Sequence, residues 1–318
     1  MKVITVTANP ALDVTIHASH WQRSVVNRGQ TLDVNPGGKG LNVAINLNDA
    51  GIDAVVTGWM GKENDYHFTR VFTKHNVRDD FVRFAGEVRT CIKIVDDSNG
   101  ETTDINMPGY EVPKHAQEAL AEYLEKEVKE DTVLMFGGSL PKGIARDFYA
   151  QMVEKYRQAC QWVVVDTSGE ALQEVMKAKV LPHMIKPNIH ELREFCGKDL
   201  QTHTEILQQA REFINNGVEM VVVSMGRKGA WFVTKDQALH AQPPKIKVVS
   251  TVGAGDAMVA GVIRGVLLNR ELDNIARRST AYSVANIMHM GSYLPDEQQL
   301  DELKAQVVIT NEEDWHNE

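Results

Sequence analysis

The sequence predicts an α/β protein built on a doubly wound, mostly parallel sheet, with a small β-sheet lid. Three observations predict it. Short β-branched runs alternate with helical patterns over most of the chain, the signature of right-handed βαβ units covered on both faces. Two further runs, 90–95 and 102–106, flank Asp96-Asp97-Ser98-Asn99-Gly100, a hairpin connection and not a helical crossover. Glycine-rich turns recur where strand patterns end, the place where open parallel sheets gather ligands. With 43% hydrophobic and 24% charged residues over 318 positions, the composition is that of a globular chain with a sizeable core. A single domain over residues 1–318 is expected, its lid formed by segments near 12–35 and 89–106.

Taken in order, residues 3–6 are β-branched and stop at Asn9-Pro10, which reads as a first strand. Residues 12–17 and 31–34 alternate like half-exposed strands, and 41–50 read as a helix closed by Gly51. Strand patterns then fall at 54–57, 132–136, 162–165, 184–185 and 220–223, with helices predicted at 114–128, 146–159, 170–178 and 205–215. Helices at 254–268, 272–288 and 295–307 close the pattern, and the acidic tail after Thr310 is expected to fray.

The net charge of −9 opposes general affinity for nucleic acid or an acidic membrane. Bound anions must therefore be held by local devices such as helix N-termini, glycine turns and a few placed cations. Three cysteines without paired spacing argue against a disulfide scaffold or a zinc cluster. The N-terminus does not read as a signal peptide, and the longest apolar stretch is interrupted by Arg264. A soluble, cytoplasmic protein is expected. No HExxH, GxSxG or protein-kinase motif is present.

The strongest segment is Ser250-Thr251-Val252-Gly253-Ala254-Gly255-Asp256, which enters an apolar run from Ala257. Such a turn presents free N–H groups at a helix N-terminus, where an anion is stabilised. The helix dipole favours an ionised Asp256, and a carboxylate beside an anion hole suits removal of a hydroxyl proton during group transfer. A tight turn with an ordinary N-terminal charge explains the same residues. Pro36-Gly37-Gly38-Lys39-Gly40-Leu41-Asn42 also enters a helix; it is no Walker A loop, since Gly40 follows Lys39 and residue 33 is Asp. It suits a hydroxyl-rich ligand carrying phosphate, or simply a loop that needs positive φ. In Lys186-Pro187-Asn188-Ile189-His190-Glu191, Asn188 and Glu191 have capping-box spacing and could also approach a hydrated divalent cation. Gly137-Gly138-Ser139-Leu140-Pro141 and Ser224-Met225-Gly226-Arg227-Lys228-Gly229 each follow a strand.

Together, residues 37–44 and 250–256 resemble the two signatures of the PfkB (ribokinase-like) carbohydrate kinases, and the intermediate segments fall in the family's order over nearly the whole chain. The resemblance implies the doubly wound fold with its lid, ATP, Mg²⁺ and transfer of the γ-phosphoryl group to a sugar hydroxyl. By the same resemblance Asp256 matches the catalytic base, and Gly253, Ala254 and Gly255 match the anion hole. Asn188 and Glu191 match a magnesium-linked motif acting through water. Asp13, Gly38, Asn42 and Ser139 match sugar-binding positions. Lys186, Ser224, Gly226, Gly229 and Thr251 match the nucleotide side.

Asn9-Pro10-Ala11-Leu12-Asp13, Val26-Asn27-Arg28 and Ser250-Thr251-Val252 resemble the hexose-phosphate branch, whose acceptors are fructose 1-phosphate, tagatose 6-phosphate or fructose 6-phosphate. Arg28, Lys39 and Arg89 are candidate cations for the acceptor's phosphate. Lys39 within the glycine cluster resembles the members that take fructose 1-phosphate or tagatose 6-phosphate more than those that take fructose 6-phosphate; fructose 1-phosphate is the expected acceptor, the two 6-phosphates remaining alternatives and an unphosphorylated sugar a more distant one. Gly137 departs from the Ser often found before Gly138-Ser139. A non-catalytic sensor would be expected to lose Asp256 or its glycines, and a nicotinamide-dependent dehydrogenase would need GxGxxG after the first strand. The expected partners are therefore a sugar phosphate and ATP, with no nucleic acid or membrane. An exposed lid sheet can also pair with a second copy, which allows a homodimer through the lid.

Overall fold

The computed structural model describes residues 1–289 and 291–315, except the side chains of Thr31 and Leu32. The chain opens with β1 (Lys2–Thr7), β2 (Ala11–Ala18), β3 (Gln30–Gly37) and α1 (Lys39–Asp49). Next come β4 (Ala54–Gly61), α2 (Tyr66–Lys74), the short β5 (Arg78–Asp79) and β6 (Val82–Phe84), then β7 (Arg89–Asp96) and β8 (Thr102–Ile105). The middle alternates: α3 (Lys114–Glu127), β9 (Thr132–Gly137), α4 (Phe148–Tyr156), β10 (Trp162–Asp166), α5 (Gly169–Lys177), β11 (Met184–Ile185), α6 (Ile189–Cys196), α7 (His203–Asn215) and β12 (Met220–Ser224). The C-terminal part holds β13 (Ala230–Thr234), β14 (Ala238–Gln242), α8 (Ala254–Leu267), α9 (Leu272–Ile287), α10 (Glu297–Ala305) and β15 (Val308–Asn311).

The large sheet runs β15-β14-β13-β12-β11-β10-β9-β1-β4-β5, with β6 beside β4. Neighbours from β12 through β5 are parallel, and β13 to β15 are added antiparallel. Period-two alternation sends the two sides of each strand into different cores. Val3, Val133, Val164 and Val222 join the core that holds Leu41, Val259 and Ala276. Ile4, Leu134, Val163 and Val221 join the opposite one, with Leu120, Val153 and Ile206. Helix α8 is buried almost all round, as an apolar run interrupted after Asp256 by Arg264 alone requires. Its glycines let α9 approach closely: a Cβ on Gly261 would lie 2.6 Å from the Ser279 Cα.

Strand order reverses at β1, which lies between β4 and β9. The crevice outside the carboxyl ends of such neighbours is the natural ligand position. Over it lies a separate four-stranded sheet, β3-β2-β7-β8, the expected lid. Its β7–β8 connection is the predicted turn: Asp96 Oδ1 accepts from the Ser98 N–H at 2.9 Å, and Gly100 takes φ 75°.

The sequence reading missed α2, β5, β6 and β14; β5 and β6 are short and owe their place to pairing with β4, and β14 pairs with β13. It also expected the tail after Thr310 to fray, and this is corrected. Residues 308–311 pair with β14, and Trp315 stacks on His203 with ring centroids 4.1 Å apart. An open strand edge and a half-buried indole together outweigh the tail's acidic composition. The last three tail residues lie outside the described ones.

Candidate active site

A cavity of about 280 Å³ opens between the lid and the N-terminal ends of α1 and α8, with Asp13, Asn35, Asn42, Lys93, Gly253 and Ser292 in its wall. Asp13 projects from β2 opposite β3, where it has room only because residue 37 is glycine: a Cβ there would collide with Asp13 Oδ2. Burial pushes the Asp13 carboxyl up to about 6; Arg89 and Lys93 oppose the rise, while Asp256 and Asp104 add to it.

Asn42, one turn into α1, joins this cavity to the next layer. Its Nδ2 donates to Asp256 Oδ2 at 2.7 Å, and its Oδ1 accepts from the Ser292 hydroxyl at 3.1 Å. Asp256 lies in the first turn of α8, buried. The turn before it is possible because Gly253 adopts φ 79°, which an L side chain resists. The helix-dipole argument expected Asp256 to be favoured as the charged form. Burial reverses the net effect and raises its pKa, with Asp166 adding to the rise while Lys39, Asn42 and Lys186 oppose it. The result is a more basic carboxylate beside a helix N-terminus, suited to accepting a proton at neutral pH.

The third layer is a charge network that sequence reasoning missed. Asp166, at the carboxyl end of β10, is wholly buried and accepts from Lys39 Nζ at 2.8 Å, with Lys186 Nζ 3.6 Å away. Burial pushes Asp166 up, but Lys186 and Lys39 outweigh it and hold the carboxyl below the ordinary range. Burial acts to lower Lys39, yet Asp166, Asp256 and Glu191 hold its ammonium above its ordinary value. Gly137 makes room for this lysine: a Cβ on residue 137 would sit 2.9 Å from the Lys39 Cβ. The departure noted in the sequence thus has a steric reason. The signal for Asp166 was present, a lone acid ending an apolar run at the ligand side of the sheet.

Asn188 and Glu191 form the expected capping box at the start of α6. Glu191 also turns Oε1 toward Lys39 Nζ, 4.0 Å away. Ser224 lies beside Asn188 through an isolated bridge, and the Gly226 to Gly229 turn takes positive φ at both glycines. Lys186, buried, touches α8: a Cβ on Gly255 would lie 3.0 Å from its Nζ. Ser139 accepts from Asn9 Nδ2 at 3.3 Å, at the junction of β1 and β9. Gly38 caps α1 with φ 149°, where a Cβ would meet Thr7 Cγ2 at 2.5 Å. Ala254 opens α8, and Thr251 is exposed in the loop before it.

The three cations expected for a sugar phosphate are not gathered at the cavity wall. Arg28 is exposed between β2 and β3, and Lys39 is drawn to Asp166. Arg89 donates to the backbone carbonyls of Met107 and Asn9, at 3.1 and 3.2 Å. The wall instead carries Lys93, Asn35 and Ser292, which sequence reasoning did not select. Among the described residues no group of three or more His, Cys, Asp or Glu is assembled to hold a metal ion, and no helix is long and apolar enough to cross a membrane.

Residues 7–299 match the pfkB family carbohydrate kinase profile. The chain is 37% identical over 309 residues to a 1-phosphofructokinase of Vibrio cholerae, covering 97% of this chain and 96% of that protein. It is 38% identical over 290 residues to a 1-phosphofructokinase of Xanthomonas campestris, covering 90% and 91%. Among solved structures, phosphofructokinase-2 from Escherichia coli in complex with substrates and products superimposes with a TM-score of 0.88 at 26% identity, over 96% of this chain and 99% of that one. A possible 1-phosphofructokinase from Thermotoga maritima gives 0.82 at 25% identity, over 98% and 99%.

Proposed function

The chain belongs to the pfkB family of carbohydrate kinases, an ATP-dependent sugar kinase, and from that membership we propose that it phosphorylates fructose 1-phosphate to fructose 1,6-bisphosphate. The observation that carries the reading is Asp256 in the first turn of α8, hydrogen-bonded at 2.7 Å to the cavity-wall residue Asn42. The identity to 1-phosphofructokinases over most of the chain supports the choice of acceptor.

In this mechanism Asp13 and Asn42 hold the sugar's hydroxyls, with Gly38 and Ser139 at the edge of the acceptor site. The free primary hydroxyl meets Asp256, which takes its proton as the phosphoryl group moves in line. Backbone N–H groups of Gly253, Ala254 and Gly255 stabilise the transferring group, aided by the ammonium groups of Lys186 and Lys39. Ser224, Gly226, Gly229 and Thr251 belong to the nucleotide side. The donor set suits a hydrated Mg²⁺: Asp166 Oδ2 is buried without a hydrogen-bond partner, and Glu191 and Asp166 both lie within 4.0 Å of the Lys39 ammonium. Asn188 and Glu191, through water, with Asp166 behind them, would hold the ion, which when bound offsets charge on the nucleotide phosphates. Closure of the lid would exclude water from the transfer. Its free edges, β3 and β8, keep lid-to-lid pairing of two copies within the proposal.

The test is an ADP-release assay with MgATP on fructose 1-phosphate, fructose 6-phosphate, tagatose 6-phosphate and fructose side by side. The expected result is the highest kcat/KM on fructose 1-phosphate. Asp256→Asn is expected to lower kcat by about 10²- to 10⁴-fold while still binding the acceptor. Preference for a 6-phosphate would overturn the acceptor, and undiminished turnover in Asp256→Asn would overturn the base.

A further inference from the structure

We infer that His240 and Gln242, at the end of β14, are positioning residues for the nucleotide: through the turn 225–229 they aim the N–H groups of Arg227 and Gly226 at it. The inference rests on the reading that Ser224, Gly226 and Gly229 belong to the nucleotide side.

The turn joins β12 to β13 and leaves the carboxyl end of β12, beside β11. The Ser224 N–H donates to the Pro187 carbonyl at 3.1 Å, so the turn opens on the crevice that holds Lys186 and Asn188. Strand β14 runs back antiparallel to β13, with Ala241 opposite Ala230 and His240 opposite Trp231. Residues 240–242 therefore end against the turn. The approach is close: a Cβ on Gly229, which takes φ 85°, would collide with the Ala241 carbonyl oxygen. Residues two apart share a strand face, so His240 and Gln242 reach the turn together. His240 Nε2 lies 2.7 Å from the Lys228 carbonyl oxygen, and Gln242 Nε2 donates to the Arg227 carbonyl at 2.9 Å.

Each of these bonds starts a short relay, because a planar peptide unit ties one residue's carbonyl to the next residue's N–H. Gln242 holds the unit of the Arg227 carbonyl and the Lys228 N–H. That N–H donates to the Met225 carbonyl at 3.2 Å, whose unit carries the Gly226 N–H. His240 holds the unit of the Lys228 carbonyl and the Gly229 N–H. That N–H donates to the Gly226 carbonyl at 2.9 Å, whose unit carries the Arg227 N–H. The Gly229 carbonyl accepts from the Met225 N–H at 2.8 Å. Every carbonyl from Met225 to Gly229 is thus engaged, while the N–H groups of Gly226 and Arg227 have no intramolecular acceptor among the described residues. Hydrogen bonds in such a chain polarise one another, and successive oriented N–H groups suit an anionic ligand.

The His240 ring is fixed as a donor. It is 2% exposed and packs among Trp231, Trp315 and His203, with ring centroids 5.1, 5.2 and 5.2 Å away. Burial lowers its pKa to about 4; the bond to the Lys228 carbonyl opposes the fall and His203 adds to it. The ring is therefore neutral near pH 7, and the carbonyl beside Nε2 selects the tautomer with its proton there. A Gln side chain can place an N–H at the same point, whereas Phe keeps the ring and loses the donor.

The experiment is steady-state kinetics with each substrate varied, together with calorimetric titration of a non-hydrolysable β,γ-imido analogue of MgATP. The native chain is compared with His240→Phe, His240→Gln, Gln242→Leu and Gly226→Ala. His240→Phe is expected to raise KM for ATP and Kd for the analogue by about three- to tenfold, with kcat and KM for fructose 1-phosphate within about twofold. His240→Gln restores most of the affinity, and Gln242→Leu raises KM for ATP by about two- to fivefold. Gln242 is only half-buried, so it carries the test if His240→Phe fails to fold. Native affinity for the analogue in both His240→Phe and Gln242→Leu overturns the inference. So does an equal rise in KM for both substrates, or a lower melting temperature with both KM values unmoved, either of which marks a merely structural role. Gly226→Ala separates the two readings, because a Cβ there meets open space within the protein. Weak nucleotide binding in Gly226→Ala alone leaves the turn on the nucleotide side and the inference overturned. Native nucleotide binding in Gly226→Ala, His240→Phe and Gln242→Leu together overturns both.

Discussion

Residues in this site are tuned by burial against a few cations. Asp13 shows it most directly, because burial pushes its carboxyl up to about 6 despite Arg89 and Lys93. A raised carboxyl means that the fold favours the protonated form. Its contribution to the stability of the free protein is thus full below the ordinary carboxylate range and is lost as pH rises through about 6. Acceptor hydroxyls need the ionised form, so Asp13's contribution to sugar affinity runs the other way and grows over that interval. KM for fructose 1-phosphate, measured between about pH 5 and 8, should fall as pH rises, and Asp13→Asn should flatten part of the fall. The slope that remains belongs to the substrate, whose phosphate titrates near about 6. An unchanged profile in Asp13→Asn would show that Asp13 does not contact the sugar.

At the scale of elements, two helix starts assemble most of the chemistry, and each has a local cause. Helix α6 begins at a complete capping box: Asn188 Oδ1 accepts from the N–H groups of His190 and Glu191 at 2.8 and 2.9 Å, and Glu191 Oε2 accepts from the Asn188 N–H at 2.8 Å. The pair therefore has a structural task whether or not an ion is bound. Asn188→Ala should cost about 1 kcal/mol, seen as a lower melting temperature, whereas Asn188→Asp should keep the cap. If Asn188→Ala melts like the native chain, the cap contributes nothing and the pair is held by function alone. Helix α8 starts on Gly253, whose positive φ turns the chain so that Asp256 faces Asn42. Both starts were legible, since a cap and a glycine turn are local patterns. Helix α2 was not, because its apolar face is made by only two buried phenylalanines, Phe68 and Phe72.

For the whole molecule, the tail shows how context overrides composition. Strand β15 covers the edge of β14, Arg211 holds Glu312 at 2.7 Å, and Trp315 closes over His203. A chain ending after Val307 should melt at lower temperature and scatter more light on concentration, because β14 is left as an open edge. Equal melting and scattering would mean that the tail only decorates the sheet. The sequence alone determined the strand–helix alternation, the lid hairpin and the two glycine turns, because propensity, periodicity and turn chemistry act within a few residues. Only the tertiary structure decided that Lys39 pairs with Asp166, 127 residues away, and that Asn42 reaches Asp256 across 214 residues. It also decided that Lys93 faces the cavity and that Arg89 points two of its nitrogens at the carbonyls of Met107 and Asn9. Those outcomes depend on strand register and burial, which arise when distant segments pack and which set both the distance between charges and the cost of taking them out of water.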